Sequence, residues 1–560
     1  MTRFRSQTSQ FLALVALGLA LRLAGLLFKG THDLDQLVLE WGAGVTQNGL
    51  AHTPIIIYGV LSYVFHGLAF FLAEPVPRFW WAPQKFFEIL GEAGIFATLF
   101  HLLPRERRKA AIWFYWLNPF FILSGAWDGF WDAPHTLAAL LAILIIRRSK
   151  NARAGWLWAG AVLASGAMFK PQGLIYFIVP LVLYLIFDAL ARRRLAHLIW
   201  IGVGGLATFV AAEVCLITIG ADPMAIPRSY MIGDIMPNLC NSCISIWRPV
   251  TRLLQLALGQ TGALYELRLP GPISLILDKL ILVTTTLLLA GFCLRVASIG
   301  APFSEDGDAR QVTLRKVLRA IGLVALLIAG LGLLHKSDPL MHAHLVVGRY
   351  SAGYAGILGI LAVTGTILFG ARSLVARQIE NVLSLMASNG SVNSQADGKG
   401  LSPYLSVYLV LTFGALVIPQ LGTRAHISHT YGGLVLLIPL AVVNRSIWVP
   451  WITMVAVHFY GYLSSYGLGM ATALPNRNIS AYPEVTHQLV ARIDPASYGG
   501  LLRFQGAAGQ LLGEVFPQEP VLSFLSILQF ICVIFVAREL FANFGRIERL
   551  AVMATPSKTS

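Results

Sequence analysis

Apolar runs long enough to cross a bilayer recur from one end of this chain to the other, and they constrain its fold more than any other feature. A membrane-spanning helix needs about 20 predominantly apolar residues to traverse a hydrocarbon core about 30 Å thick. Composition agrees: 56% of the 560 residues are hydrophobic and only 12% are charged, against about 25% charged in a typical soluble domain. This excludes a soluble enzyme. It predicts an all-α, polytopic transmembrane helical bundle of about 13–14 helices, a single integral membrane domain over residues 1–560 in contact with the lipid bilayer. The net charge of +15, from 42 Lys and Arg against 27 Asp and Glu, does not indicate nucleic acid, because no basic block with interleaved aromatics lies in a soluble segment.

Charge sets the expected orientation. Arg3 and Arg5 precede a first apolar run, about 11–28, that contains Arg22; Arg22 sits late enough in the run to snorkel to the surface. No cleavage site follows, so the run reads as a first transmembrane helix and not a signal peptide. Basic clusters at 105–109, 147–153, 192–194, 310–319, 372–377 and 538–549 mark the cytoplasmic side. Helices are then expected near 84–103, 110–127, 133–147, 155–169, 173–188, 198–219, 273–294, 317–334, 351–371, 403–419, 431–444, 447–466 and 520–541. The apolar stretch 54–73 has no place in this alternation and reads as a re-entrant or juxtamembrane hairpin. External segments follow at 29–53, 128–132, 170–172, 220–272, 335–350, 420–430 and 467–519. The long ones, rich in Pro and Gly, are expected to cap the bundle. Segments 296–316 and 372–402 read as solvated linkers.

Cys240 and Cys243 form a CxxC in the 220–272 loop. Zinc needs a second pair or two histidines at fixed spacing, so a loop disulfide or two free thiols is the reading.

Four external constellations carry the chemistry. HDLDQ begins the first loop with Asp33 and Asp35 and continues as an amphipathic stretch expected at the membrane interface. Its carboxylates can act as a general base or bind a divalent metal ion, although Asp also caps helices. The turn GAWDGFWDAPH carries Asp128, Asp132 and His135; Trp127 and Trp131 are accounted for by an aromatic belt. Lys170, in KPQ with Gln172, is a lone external cation that needs a partner, either Asp128 or Asp132 or an anionic ligand. The turn TRAHISHTY brings Arg424, His426 and His429, donors suited to a phosphate. The 335–350 loop adds His335, Lys336, His342, His344 and Arg349. Carboxylates in two loops and cations in three others divide the labour as a reaction requires when a base activates a hydroxyl and cations stabilise a departing phosphate.

These motifs resemble the GT-C superfamily of membrane glycosyltransferases, specifically bacterial relatives of the GPI-type and polyprenyl-phosphate-mannose mannosyltransferases. The carriers are HDLDQ followed by EWGAGVTQNG, WDGFWDAPHTLAALLAIL, GAMFKPQGLIYFIVPL and TRAHISHTYGGLVLLIPL. The resemblance covers about 10–190, a catalytic module in such enzymes, and the turn at 420–440; the remainder of 191–560 would supply additional helices and loops. It implies an enzyme of the bacterial inner membrane that takes a hexose, mannose-like, from a polyprenyl-phosphate donor. The sugar passes with inversion to a hydroxyl of a lipid or glycan acceptor on the periplasmic, external side.

The family's first-loop base carries over to Asp35 or Asp33, with the spacing to Trp41 and Gly42 favouring Asp35. Its second-loop aspartate carries over to Asp132, with Asp128 as the alternative; His135 and Gln172 would help position donor or acceptor. Lys170, Arg424, His426, His429 and Arg349 would bind phosphate. The usual acidic and basic residues of the late turn are replaced here by Ile427, Ser428 and His429, and the family's Tyr-Pro-Pro element is missing. No cofactor is required; Asp33 and Asp35 are compatible with a divalent metal ion but do not demand one.

Two rivals make different demands. A transporter or flippase of a lipid-linked sugar calls for charges near the midplane and broken helices in repeated halves. An O-antigen ligase or polymerase uses external Arg and His without an acidic pair in the first loop.

Overall fold

A computed structural model describes residues 2–31, 33–53, 58–192, 195–221, 243–260, 271–298, 402–422, 426–466, 482–498 and 519–542, with a few isolated positions besides. Among these residues every regular element is helical. The principal helices are α1 (Thr2–Ala24), α2 (Val60–Ala73), α3 (Ala82–Leu102), α4 (Ala133–Arg148), α5 (Ala152–Phe169), α6 (Val179–Arg192) and α7 (Leu195–Thr218). They continue with α8 (Trp247–Ala257), α9 (Gly271–Ser298), α10 (Pro403–Leu421), α11 (Tyr431–Val443), α12 (Arg445–Tyr466), α13 (Glu484–Ala491) and α14 (Glu519–Ala542).

Five helical stretches among the described residues are long and apolar enough to cross a membrane: Thr8–Leu27, Pro171–Ala189, Leu195–Thr218, Pro403–Leu421 and Pro520–Phe541. Their outward side chains suit hydrocarbon; Leu206 of α7 is 66% exposed. Five is fewer than the 13–14 crossings expected. Other expected crossings exist as helices that are shorter, such as α4 and α11, or that carry internal charges, such as α3. The expected helices at 317–334 and 351–371 lie outside the described residues, as do both linkers and the 335–350 loop with Arg349.

The helices share their packing across the chain. One apolar cluster runs from Ile95 in α3 through Leu163, Leu411 and Leu437 to Leu540 in α14, so the first 190 residues and the C-terminal helices have a common core. A second cluster joins Leu37, Val38 and Trp41 of the first loop to Tyr63 and Phe70 of α2 and to Tyr482, Leu489 and Ile493.

Hydrogen bonds define two ends of the bundle. At one, Arg107 donates to the Val442 carbonyl (2.6 Å) and Arg147 to that of Leu102 (2.7 Å), with the Arg147 guanidinium over the Tyr404 ring. At the other, the Thr31 N–H donates to the Asp128 carbonyl (2.9 Å), Gln172 meets His429, and Thr486 donates to the Leu39 carbonyl. The basic turns thus gather opposite the acidic ones, as the charge pattern predicts. The described part of the 467–519 segment, residues 482–498, caps the first loop, and Arg492 reaches the Glu74 carbonyl (2.7 Å).

Three regions differ from their sequence reading. The stretch 54–73 supplies α2, a regular helix whose start presses on the end of α5; Gly59 lies so close to the Met168 carbonyl that no side chain fits there. The amphipathic stretch after HDLDQ buries its apolar side against protein, with Leu37, Val38 and Leu39 packed into the second cluster beside α2. Arg22 does not snorkel. It is fully buried, paired with Glu92 of α3 (2.7 Å), and donates to the Trp116 carbonyl (2.5 Å).

Candidate functional site

Short irregular pieces at the acidic end bring the polar residues together. After α1 the chain turns at Gly30, whose φ of +89° suits glycine and whose close approach to the Asp128 carbonyl leaves no room for a Cβ. The first and second acidic loops are thereby joined. Residues Asp35–Gly42 then wind as a wide π-type helix that buries Asp35 and leaves Asp33, two residues earlier, partly exposed. Pro171 starts the helix that carries Gln172, in the N1 position where proline is favoured, and leaves Lys170 extended at the break.

Two lysine–aspartate pairs result. Lys29 Nζ lies 2.5 Å from Asp35 Oδ2, both side chains nearly inaccessible, with the ammonium 5.5 Å from the centre of the Trp80 ring. Lys170 Nζ lies 2.6 Å from Asp132 Oδ1, also buried, with the ammonium 5.5 Å from the centre of the Tyr58 ring. Burial holds Lys29 below the ordinary lysine range even though Asp35 pulls the other way. At Lys170 burial pulls down too, but Asp132 overrides it and holds the ammonium above that range.

The Lys170–Asp132 pair is the centre of a larger group. Asp132 Oδ2 has no hydrogen-bond partner among the described residues. Glu88 of α3 accepts the backbone N–H groups of Asp132 (3.3 Å) and Ala133 (2.8 Å) and so caps α4 from a neighbouring helix. Burial pushes the Tyr58 hydroxyl up to about 12, eased by Lys170; Asp33, Asp132 and Glu88 are near enough to push it the same way. Asp33 and the Lys170–Asp132 pair thus have Tyr58 as a common neighbour. His135, one turn into α4, is buried, with Nδ1 lacking a hydrogen-bond partner among the described residues.

The late turn closes the group. The His426 N–H donates to His429 Nδ1 (3.2 Å), which places the proton of a neutral His429 on Nε2. The Gln172 amide lies 3.0 Å from that Nε2, and satisfies it when its carbonyl oxygen faces the ring. Burial keeps His429 neutral well into the acid range, and Lys170, His426 and His135 push the same way. His426 packs against Phe130 of the second turn, ring centres 5.3 Å apart.

Of the residues singled out by sequence, Asp33, Asp132, His135, Lys170, Gln172, His426 and His429 are thus gathered at one end. Asp35 is engaged by Lys29. Asp128 lies near Lys85 instead. It is fully buried with neither carboxylate oxygen hydrogen-bonded among the described residues, and burial holds its carboxyl well above the usual range while Lys85 draws it back. Arg424 and Arg349 lie outside the described residues. Trp131 is buried and donates to Ser62 Oγ (2.6 Å), so it does not belong to a belt; Trp127 is half-buried and donates to the Leu21 carbonyl (3.0 Å). Cys243 is disulfide-bonded, which fits the disulfide reading; Cys240 lies outside the described residues.

Sequence reasoning missed Lys29, Tyr58 and the charged face of α3. Lys85, Glu88 and Glu92 recur at spacings of three and four, one face of a helix inside an apolar run, which is the signal that could have found them. Lys85 Nζ donates to the carbonyls of Gly25, Phe28 and Trp127 at 2.6–2.8 Å and ties the first two loops together.

The donor set does not suit a metal. Among the described residues no group of three or more His, Cys, Asp or Glu is placed to hold one, and the carboxylates of Asp35 and Asp132 each have a lysine ammonium against them. Comparison with protein families, curated proteins and solved structures yields no match for this chain.

Proposed function

We propose that the protein is an integral membrane glycosyltransferase that moves a hexose from a polyprenyl-phosphate donor to an acceptor hydroxyl at the non-cytoplasmic face. The observation that carries this reading is the convergence of Asp33, Tyr58, Asp132, Lys170, Gln172 and His429 at the end of the bundle opposite its basic turns. A disulfide at Cys243, in a loop at that end, fits an oxidising compartment.

Asp33 is the base in this scheme, in preference to Asp35, because Asp33 is near enough to Tyr58 to act on its hydroxyl beside Lys170 and Asp132. Asp33 takes the acceptor's hydroxyl proton as the oxygen attacks C1 of the sugar. The bond from C1 to the phosphate oxygen breaks on the opposite face, which inverts the anomeric centre. A phosphate leaves readily, so one carboxylate suffices where glycoside hydrolases need two. Lys170 supplies positive charge to the leaving phosphate, Asp132 fixes its ammonium, and the Gln172 amide, its carbonyl oxygen held by His429, offers a neutral donor. Water-poor surroundings make such donors count for several kcal/mol. No step requires a metal.

One observation favours a transporter as the second reading: the buried Arg22–Glu92 pair and the charged face of α3 put polar groups inside the bundle. The test is purified protein in detergent with a polyprenyl-phosphate hexose and candidate acceptors. Transfer with inverted stereochemistry is the expected result. Movement of the lipid-linked sugar across proteoliposomes without transfer would replace the enzyme reading with the transporter.

A further inference from the structure

Helix α8 is amphipathic in the reverse sense. Arg248, Thr251 and Gln255, spaced by three and four residues, are buried on its inner side, and Leu253 and Leu256 stand on the outer side, 65% and 68% exposed. A helix in water presents the opposite arrangement. Its 11 residues span about 16 Å at 1.5 Å per residue, roughly half a hydrocarbon core, so it is too short to cross.

The helix is firmly tied down. Trp247 Nε1 donates to the Leu421 carbonyl at the end of α10 (2.7 Å), Arg248 donates to the Cys243 carbonyl (3.0 Å), and Gln420 donates to the Ile244 carbonyl (3.2 Å). These anchors set it at the end of the bundle that bears His426 and His429. It packs against α14, whose apolar stretch Pro520–Phe541 is long enough to cross a membrane and turns Phe524 and Ile531 outward. The leucines of α8 therefore continue the apolar surface of a spanning helix, bordered by the half-buried Arg252, which donates to Gln255 Oε1 (3.1 Å).

We propose that α8 is an interfacial helix that lies in the lipid leaflet at the site-bearing end, with Leu253 and Leu256 among the acyl chains and Arg248, Thr251 and Gln255 turned to the protein. Its occupant is lipid, because the surface it extends is that of a candidate span and its own length forbids crossing. Through Trp247 it holds the Ile427–Thr430 turn at the level of the leaflet surface, where the phosphate of a membrane lipid lies. The proposal stands without the glycosyl-transfer reading.

Spin labels test it in the full chain. In a Cys215→Ser background, which removes the exposed free thiol, single labels are placed by Leu253→Cys and Leu256→Cys. Leu206→Cys on α7 serves as the deep reference and Gln488→Cys on α13 as the aqueous one. Each protein is reconstituted in vesicles of phosphatidylethanolamine and phosphatidylglycerol, and collision rates with oxygen and with a water-soluble nickel chelate are compared. The expected oxygen-to-nickel ratio at Leu253 and Leu256 is several-fold above that at Gln488 and below that at Leu206. A ratio equal to the aqueous reference would overturn the proposal. So would exclusion of both reagents, which would mean that a second copy or another part of this chain covers the face.

Discussion

The Lys29–Asp35 and Lys170–Asp132 pairs have nearly the same contact distance, 2.5 and 2.6 Å, and nearly the same burial, yet they differ in every neighbour. Lys29 and Asp35 are six residues apart, and the indole of Trp80 is the ring beside their ammonium. Lys170 and Asp132 are 38 residues apart and join two helix ends, with Tyr58, His135, Glu88 and His429 around them. Pair geometry does not distinguish structure from chemistry here; the company each pair keeps does. A pair between residues close in the chain braces a turn. A pair that joins two helix ends beside His429, Gln172 and Tyr58 is equipped to meet a ligand.

The comparison breaks most decisively at Lys170. Lys170→Met strands a buried Asp132, which costs about 3–5 kcal/mol of stability, and removes the cation opposite the leaving phosphate, which lowers kcat by about 10²–10³. Thermal unfolding in detergent and turnover per folded molecule measure the two losses separately. Lys29→Met strands Asp35 and carries the same stability loss of about 3–5 kcal/mol, but turnover per folded molecule stays near that of the unmodified protein. Equal loss of turnover in both variants would erase the distinction between the pairs.

Tyr58→Phe sharpens the comparison further. The ring stays over Lys170 while its hydroxyl is lost, so turnover falls by about threefold to tenfold, corresponding to a net hydrogen bond of about 0.5–1.5 kcal/mol, with little change in unfolding temperature.

The smallest effect is in alkaline titration. Lys29, held by burial below the ordinary lysine value of 10.5, loses its proton in the folded protein before it does so in the unfolded chain. In that window the unfolded chain binds more protons, and the contribution of Lys29 to stability rises with pH. Lys170 is raised above 10.5, so its contribution is complete below that pH and is lost as pH climbs through the folded value. Unfolding temperatures followed upward through pH 10.5 should therefore show the gap between the unmodified protein and Lys29→Met widening, and the gap to Lys170→Met closing.

Much of the fold was readable from apolar runs. The expected helices at 133–147, 403–419 and 520–541 appear as Ala133–Arg148, Pro403–Leu421 and Glu519–Ala542, because an uninterrupted apolar stretch of that length has few alternatives to a helix. Helix α2 was not readable, since strict alternation across a membrane leaves a short helix packed on the first loop without a side. At the site, residue types pointed to Asp132 and Lys170, and a partner for Lys170 was required by its isolation. The engagement of Asp35 by Lys29 was hidden, because the preference for Asp35 rested on its spacing to Trp41, and spacing along the chain does not register which carboxylate a nearby lysine reaches once the π-type turn has formed. Lys85, Glu88 and Glu92 lie in an apolar run that reads simply as a crossing helix, although their common face is where the first two loops are tied.

The central claim is that Asp33, and not Asp35, removes the acceptor proton. Hexose transfer from a polyprenyl-phosphate donor, measured per folded molecule for Asp33→Asn and Asp35→Asn side by side, tests it most directly. The account predicts that Asp33→Asn loses about 10²–10⁴ in rate per folded molecule, while Asp35→Asn is less stable but turns over when folded. Undiminished transfer by Asp33→Asn would contradict it.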